Sequence, residues 1–396
     1  MSPQLKRLLT FNMGYAIIYN YINIFVNFYI WQQTKSFSDI CLFNFVLFLV
    51  VGANAIIGYA VLLRTSTRFN SLLSVVFAVI GFVVLMLYHP ANHVWLILSV
   101  GVPMGLFVSY FWTAGNISIS KQGQSEDFAI YWSYSNTFTQ VISVVNPLLS
   151  ALFIFLFGFV GSFVIMTIFI GFMIYVSFLV PKIVLHKEFQ VQGFLRRATY
   201  KSVFTSKKAH WLYASMSVGV IYAQLQNIFA LLFTFQVTNK TLVVASLSAG
   251  YALVTIGSFL AYLKLHFSPS TWLKFAIVLN AIGIFLDLFH LPVFYILSNF
   301  LTTIGIFYFN TIWTAQQFAV TADISLEERI RYFLWREVNL DMTRSLFLLL
   351  LIFVPVLHRH FIDMFILVLI LSGCFIFMDR KMNAKDSVSS DVAHSI

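Results

Sequence analysis

Within the segment 336–344, Glu337, Asp341 and Arg344 are spaced four and three residues apart. At about 100° per residue of helix these three fall within a sector of roughly 60°, one polar face, with Arg336 about 100° away from it. A carboxylate in such a place can bind and release a proton when its surroundings alternate between wet and occluded. Arg344 would pair with Asp341 at i,i+3 and hold its partner's charge or contact an anionic substrate group. The chain context makes the face costly. Only the 13 residues from Ser345 to Leu357 are uncharged there, so a helix of about 20 residues long enough to span lipid must draw Glu337, Asn339, Asp341 and Arg344 inside. Each unpaired charge near the bilayer centre costs about 2.5–3.5 kcal/mol, so the face is expected to look into a protein cavity. A fixed ion pair that locks this helix to its neighbours is the other reading of the same residues.

Amides and aromatic rings form a second constellation. The first apolar run carries Asn12, Tyr15, Tyr19 and Asn23 as one helical stripe, with Asn20 and Asn27 nearby. Trp112 and Asn116, Asn136 and Gln140, Tyr222 and Gln226 with Asn227, and Asn310, Trp313 and Gln317 add the same chemistry in later runs. Such side chains bind neutral hydroxylated solutes, or the polar end of amphipaths, by hydrogen bonding and stacking. They also glue helices together and mark membrane interfaces, and for a single residue that reading is the stronger. Asp39 and the pair Asp287 and His290 sit at span ends near the outer face, where solvation among headgroups is expected, with a titrating outer gate as the other reading. His358 and His360 flank Arg359 without a further ligand, so no metal is assigned.

Several chemistries are excluded by what is missing. Cys41 and Cys374 lie in separate apolar runs and make no disulfide framework. No Gly-rich loop ends in Lys-Ser or Lys-Thr, so nucleotide drive is not expected, and no cofactor is. All nine histidines fall in loops, tails or span ends without a nucleophile–base spacing, which argues against a membrane-embedded lipid-modifying enzyme. A non-transporting sensor built on a transporter scaffold stays open.

The elements that must position these residues are helices in lipid. Of 396 residues, 60% are hydrophobic and only 10% charged, against roughly 25% charged in a soluble domain. Apolar runs predict twelve spans: 9–33, 38–62, 69–88, 92–118, 128–157 and 159–181, then 209–235, 241–263, 270–289, 291–318, 333–357 and 361–379. The expected organisation is a six-helix bundle over 1–181, a basic linker over 182–208, a second bundle over 209–379 and a tail over 380–396. Lys6 and Arg7 precede a run too long for a signal peptide, so an uncleaved first span is expected. With the N-terminus inside, Lys and Arg concentrate in cytoplasmic loops and the outside keeps Lys35, Lys240 and Arg359. The net charge of +10 is accounted for by topology and anionic headgroups, and nucleic-acid binding need not be invoked.

Phe111-Trp112-Thr113-Ala114 is echoed by Ile312-Trp313-Thr314-Ala315, 201 residues on, and the same offset superposes Tyr131 on Tyr332. Two halves of like orientation are the arrangement of a rocking transporter. In this layout the chain resembles the major facilitator superfamily, as a divergent bacterial-type member. Gly58, Arg64 and Arg68 stand where that family has its loop motif between spans two and three, without its Asp. Asn146-Pro147, with Ser143 and Ser150, stands where antiporters have a Gly-Pro pair. The resemblance implies an all-α protein of the cell membrane that carries a small molecule by alternating access, with gating by Gly58, Arg64, Arg68 and Pro147. Proton-coupled export or antiport of an amphipathic or lipid-like compound is expected, or else uptake or exchange of a neutral polar solute such as a saccharide. Expected partners are substrate, protons and membrane lipids, with the chain acting as a monomer.

Overall fold

The computed structural model describes residues 3–88, 92–122, 125–185, 193–203, 207–238, 240–265, 267–319, 324–353 and 361–383. The side chain of Asn136, the His358-Arg359-His360 loop and most of the tail lie outside the described residues, as do 186–192 and 204–206 of the linker. Everything described is helical or a short connection. The first rod consists of α1 (Pro3–Tyr21), a π turn (Ile22–Val26) and α2 (Asn27–Thr34). It is followed by α3 (Phe37–Arg64), α4 (Thr67–Leu87), α5 (His93–Gln122) and α6 (Ser125–Leu179). Two single turns, α7 (Phe194–Arg197) and α8 (Tyr200–Val203), lead to α9 (Lys207–Val237), α10 (Thr241–Lys264), α11 (Pro269–Asp287), α12 (Pro292–Ala319), α13 (Leu326–Ile352) and α14 (Phe361–Asn383).

Local chemistry explains the boundaries. Ser36, Ser66 and Ser268 accept from the backbone N–H groups of Asp39, Phe69 and Thr271, capping α3, α4 and α11. Gly158, at φ 69° and ψ 179°, breaks the long α6 where the sequence placed a boundary, because that conformation is closed to other residues. One expectation needs correction: α13 begins at Leu326, not near 333. Ser325 and Glu328 form a reciprocal capping box, so the helix starts while the chain is still polar. The Ser325 hydroxyl and N–H hold the Glu328 carboxyl below the usual carboxylate range.

Eight described helices are long and apolar enough to cross a membrane. α13 has the length but carries too much charge to qualify, and it buries Glu337 and Asp341 against its neighbours instead. Phe155, Phe172 and Ile168 of α6 and Leu346 of α13 point outward, as contact with lipid requires. α1 to α6 pack together, α9 to α14 pack together, and α3 against α13 and α6 against α10 join the two groups. Helix starts recur: Phe37 and Thr241 are 204 residues apart, Thr67 and Pro269 202, and Ser125 and Leu326 201.

The start of α4 is tied to the end of α6, with Thr67 donating to the Pro181 carbonyl at 2.7 Å and Arg68 to that of Val180 at 2.9 Å. Phe194 is buried beneath the Arg331 guanidinium, and the Trp335 indole donates to the Ala198 carbonyl at 2.7 Å. The α3–α4 turn, α7, α8 and the start of α13 thus share one end of the bundle, called here the terminal face because α1 begins and α14 ends there. At the opposite, far face, Ser38 donates to the Ile352 carbonyl at 3.0 Å.

The α11–α12 contact depends on a missing side chain. A Cβ on Gly305 would lie 2.5 Å from Asn280 Oδ1 and 2.8 Å from the Ala276 carbonyl oxygen, whereas one on Gly373 would meet nothing within 4 Å. Gly305→Ala is therefore expected to cost about 1–3 kcal/mol through overpacking. A lowered thermal midpoint in detergent checks it, with Gly373→Ala, which should be neutral or slightly stabilising, as the control.

Candidate functional site

A cavity of about 580 Å³ lies between the two groups of helices, walled by α1, α3, α5 and α6 on one side and by α12 and α13 on the other. The polar face of α13 opens into it. Asp341 is 4% exposed, and its carboxylate accepts from Arg344 Nη1 at 2.6 Å. The Arg344 guanidinium lies 4.3 Å over the ring of Phe48 on α3, a cation–π contact that crosses between the two groups. Arg344 Nε has no hydrogen-bond acceptor among the described residues. One turn earlier, Glu337 accepts from Arg336 Nη1 at 2.6 Å, and Asn116 of α5 approaches the same carboxylate oxygen at 3.4 Å. Arg336 Nε donates to Gln317 Oε1 at 2.8 Å. Two carboxylates and two guanidinium groups therefore share the cavity wall as two ion pairs with no net charge.

Arg336 corrects the helical-wheel reading. Its Cα projects about 100° off the face, but the long side chain reaches round to the neighbouring carboxylate and lines the cavity. A wheel places Cα directions only; a side chain of this length has several ångströms of reach beyond them.

Rings and amides make the opposite wall. Tyr15 stacks on Phe111, with centroids 3.4 Å apart, and on Tyr19 at 5.5 Å, and it meets the edge of Trp112 at 6.1 Å. Asn12 donates to Ser135 at 2.8 Å, and Asn146 to Asn20 at 2.9 Å and to the Ile17 carbonyl at 3.1 Å. These amides therefore hold α1 against α6, and Asn12 and Asn20 also line the cavity. Asn23, Asn116, Thr139 and Ser143 add polar groups to this side, and Ala16, Val108 and Ile142 apolar ones.

Other expected cavity residues are placed elsewhere. Tyr222 and Gln226 are buried in the second group of helices, Tyr222 against Phe309 at 4.7 Å. Trp313 packs on Gly219, where the absence of a side chain leaves room for its indole, and Gln317 serves Arg336 from behind. Asn310 and Gln140 are half-buried and do not line the cavity. An offset in sequence transfers helix positions but not the rotation of each helix about its axis, which is why Trp313, the echo of Trp112, turns inward. Of the proposed gating residues, Gly58 packs on Thr113, its carbonyl accepting from Asn70 at 3.1 Å, and Arg64 is exposed. Arg68 binds within its own half, and Pro147 sits in the uninterrupted part of α6. Asp287 is corrected too: it is 2% exposed rather than solvated, with Ser298 donating to it at 3.0 Å. His290 faces the Tyr295 hydroxyl at 3.4 Å. No group of three His, Cys, Asp or Glu that could hold a metal occurs among the described residues.

Two features of the structure lie outside the expectations from sequence. The Ser325-to-Glu328 pattern was a legible helix-start signal, whereas the π turn at Ile22–Val26 left no recognisable mark.

No family model matches the sequence, and no curated protein matches it. Solved structures do match the fold. A POT family transporter in complex with 5-aminolevulinic acid superposes with a TM-score of 0.68 at 12% identity, over 96% of both chains. A bacterial homologue of the human drug peptide transporters PepT1 and PepT2 gives 0.66 at 15%, over 98% of this chain and 99% of that one. The nucleoside transporter NupG gives 0.66 at 11%, over 96% and 100%. The chain is thus similar, over nearly its whole length, to transporters of the major facilitator fold, and with its apolar helices it is a multi-pass membrane protein.

Proposed function

We propose that this protein of major facilitator fold is a proton-coupled secondary transporter in which two six-helix halves, twelve spans in all, rock about the central cavity. The observation that carries the reading is the buried Asp341–Arg344 pair on the wall of a cavity between the halves. Protonation of Asp341 removes the charge that holds Arg344, and the freed guanidinium then offers its donors to an anionic or hydroxyl group of the substrate. The Arg344 contact with Phe48 links that event to the opposite half. Basic residues gather on the terminal face, among them Arg64, Arg68, Arg196, Arg197, Lys264 and Arg380, which favours cytoplasmic termini in the cell membrane.

The wall chemistry favours a polar solute, neutral or zwitterionic, taken up or exchanged. Among the described residues Phe48 is the one phenylalanine lining the cavity, with Trp112, Val108, Ile142 and Leu340 as its other large apolar groups, beside Asn, Ser, Thr and Tyr side chains and the two ion pairs. The many phenylalanines go to the packed interior and the outward surface, so export of a lipid-like compound loses the support that composition lent it.

Thermal stabilisation of the purified protein by saccharides, amino acids, cationic drugs and glycolipids tests this, since a ligand of the folded state raises the midpoint by mass action. Stabilisation by polar solutes, followed by their accumulation in proteoliposomes under a pH gradient, is the expected result. A response to amphipaths alone would overturn the substrate class, and binding without gradient-driven flux would overturn the transport reading.

A further inference from the structure

A second chamber, of about 230 Å³, lies toward the far face between the first rod with α3 and α9 with α10. Tyr19, Asn23 and Phe48 line both spaces, so they form a neck between them. The chemistry changes across that neck. The central cavity holds four formal charges, whereas among the described residues no carboxylate, ammonium or guanidinium lines the second chamber.

Most polar groups of the chamber already have partners in the protein. Asn44 donates to Asn27 Oδ1 at 2.8 Å, and Thr234 and the Tyr251 hydroxyl take hydrogen bonds from Asn299 at 3.2 and 3.3 Å. Gln224, Asn227 and the smaller Ser248 differ in having no such partner among the described residues, and the two carboxamides are the larger groups. They lie three residues apart on α9, both line the chamber, and neither side chain makes a hydrogen bond to a described residue; Asn227 is exposed. Two carboxamides one turn apart offer two acceptors and four N–H donors with no charge.

One side of the neck lies on an irregularity. The π turn at Ile22–Val26 inserts a residue into the first rod, and π turns recur at functional positions because the extra residue re-aims its neighbours. Here Asn23 and Ile24, adjacent in sequence, both face the chamber, and the Asn23 carbonyl is satisfied by Asn27 Nδ2 at 2.9 Å. Asn44 in turn grips Asn27, fixing the turn to α3.

We propose that the second chamber is a subsite for an uncharged hydrogen-bonding group, and that the substrate is bipartite. Its ionised end lies at Asp341 and Arg344, and its neutral hydroxyl- or amide-bearing end passes the neck to Gln224 and Asn227. This rests on the transport reading for the occupancy of the central cavity. Binding to the full-length protein in detergent tests it with four probes: serine, glucose, O-glucosylserine and asparagine-linked N-acetylglucosamine. At least one conjugate should bind tenfold or more tighter than serine or glucose. The Gln224→Leu/Asn227→Leu double variant should remove that advantage and leave serine binding unchanged. Conjugates no tighter than serine, or an advantage that survives the double variant, would overturn the subsite. A folding defect is distinguished by serine binding, which it would lower as well. Tight conjugate binding that depends on Gln224 and Asn227 but gives no gradient-driven flux would sustain the subsite and sink the transport reading.

Discussion

Asp341→Asn is expected to abolish accumulation of substrate under a pH gradient while leaving substrate counterflow across the same proteoliposomes. The substitution keeps shape and a carbonyl acceptor for Arg344 Nη1, which now sits 2.6 Å from the carboxylate, but removes the titration. Arg344 loses its counter-charge yet keeps the face of Phe48 at 4.3 Å, so the helix has a compensating contact. A drop of tenfold or more in gradient-driven flux, down to the rate of protein-free vesicles, is the expected magnitude. Gradient dependence equal to that of the unaltered protein would remove Asp341 from the proton pathway and leave the pair as a fixed structural lock.

The second large effect concerns stability and separates the two ion pairs. Arg336→Leu leaves the Glu337 carboxylate, whose side chain is 11% exposed, without its 2.6 Å partner. Stranding one member of a buried pair costs about 3–5 kcal/mol, because the remaining charge keeps its desolvation penalty without the attraction that offset it. The thermal midpoint in detergent should fall sharply. Adding Glu337→Gln should restore most of it, since the uncharged amide no longer needs a guanidinium and can still meet Asn116. Equal midpoints for the single and double variants would mean that the two groups are not energetically coupled. Flux in the double variant then reads the role of Glu337: retained proton drive assigns it to holding α12, α13 and α5 together, and lost drive gives it a share in coupling.

How far the sequence could be read varied with the kind of feature. The polar face of α13 was legible because three residues spaced by four and three must share a helix side, and a buried Asp and Arg at i,i+3 meet within one turn. The break at Gly158 was legible as the gap between two apolar runs. Arg336 was misread because its assignment depends on side-chain reach, not on position around the axis. Trp313 was misread because an internal echo carries over register but not rotation, and Gly219 supplies the space into which the indole turns. Asp287 was misread because a helix end in sequence is not an exposed end in space: α12 folds back and covers it, with Ser298 supplying the hydrogen bond.

By itself the sequence determined the class of structure and the site's charges. Few charged residues and long apolar runs require helices whose backbone groups are satisfied internally, and charges within such a run require an enclosed polar space. These are consequences of transfer free energies, which depend on residue type and spacing along the chain. Tertiary structure alone decided which charges pair, which amides tie helices together and which stay free, and that Tyr19, Asn23 on the π turn and Phe48 line both a charged cavity and a second chamber. Those outcomes follow from the rotation and close approach of helices far apart in sequence, set by the packing of small residues against large ones, and no local pattern encodes them.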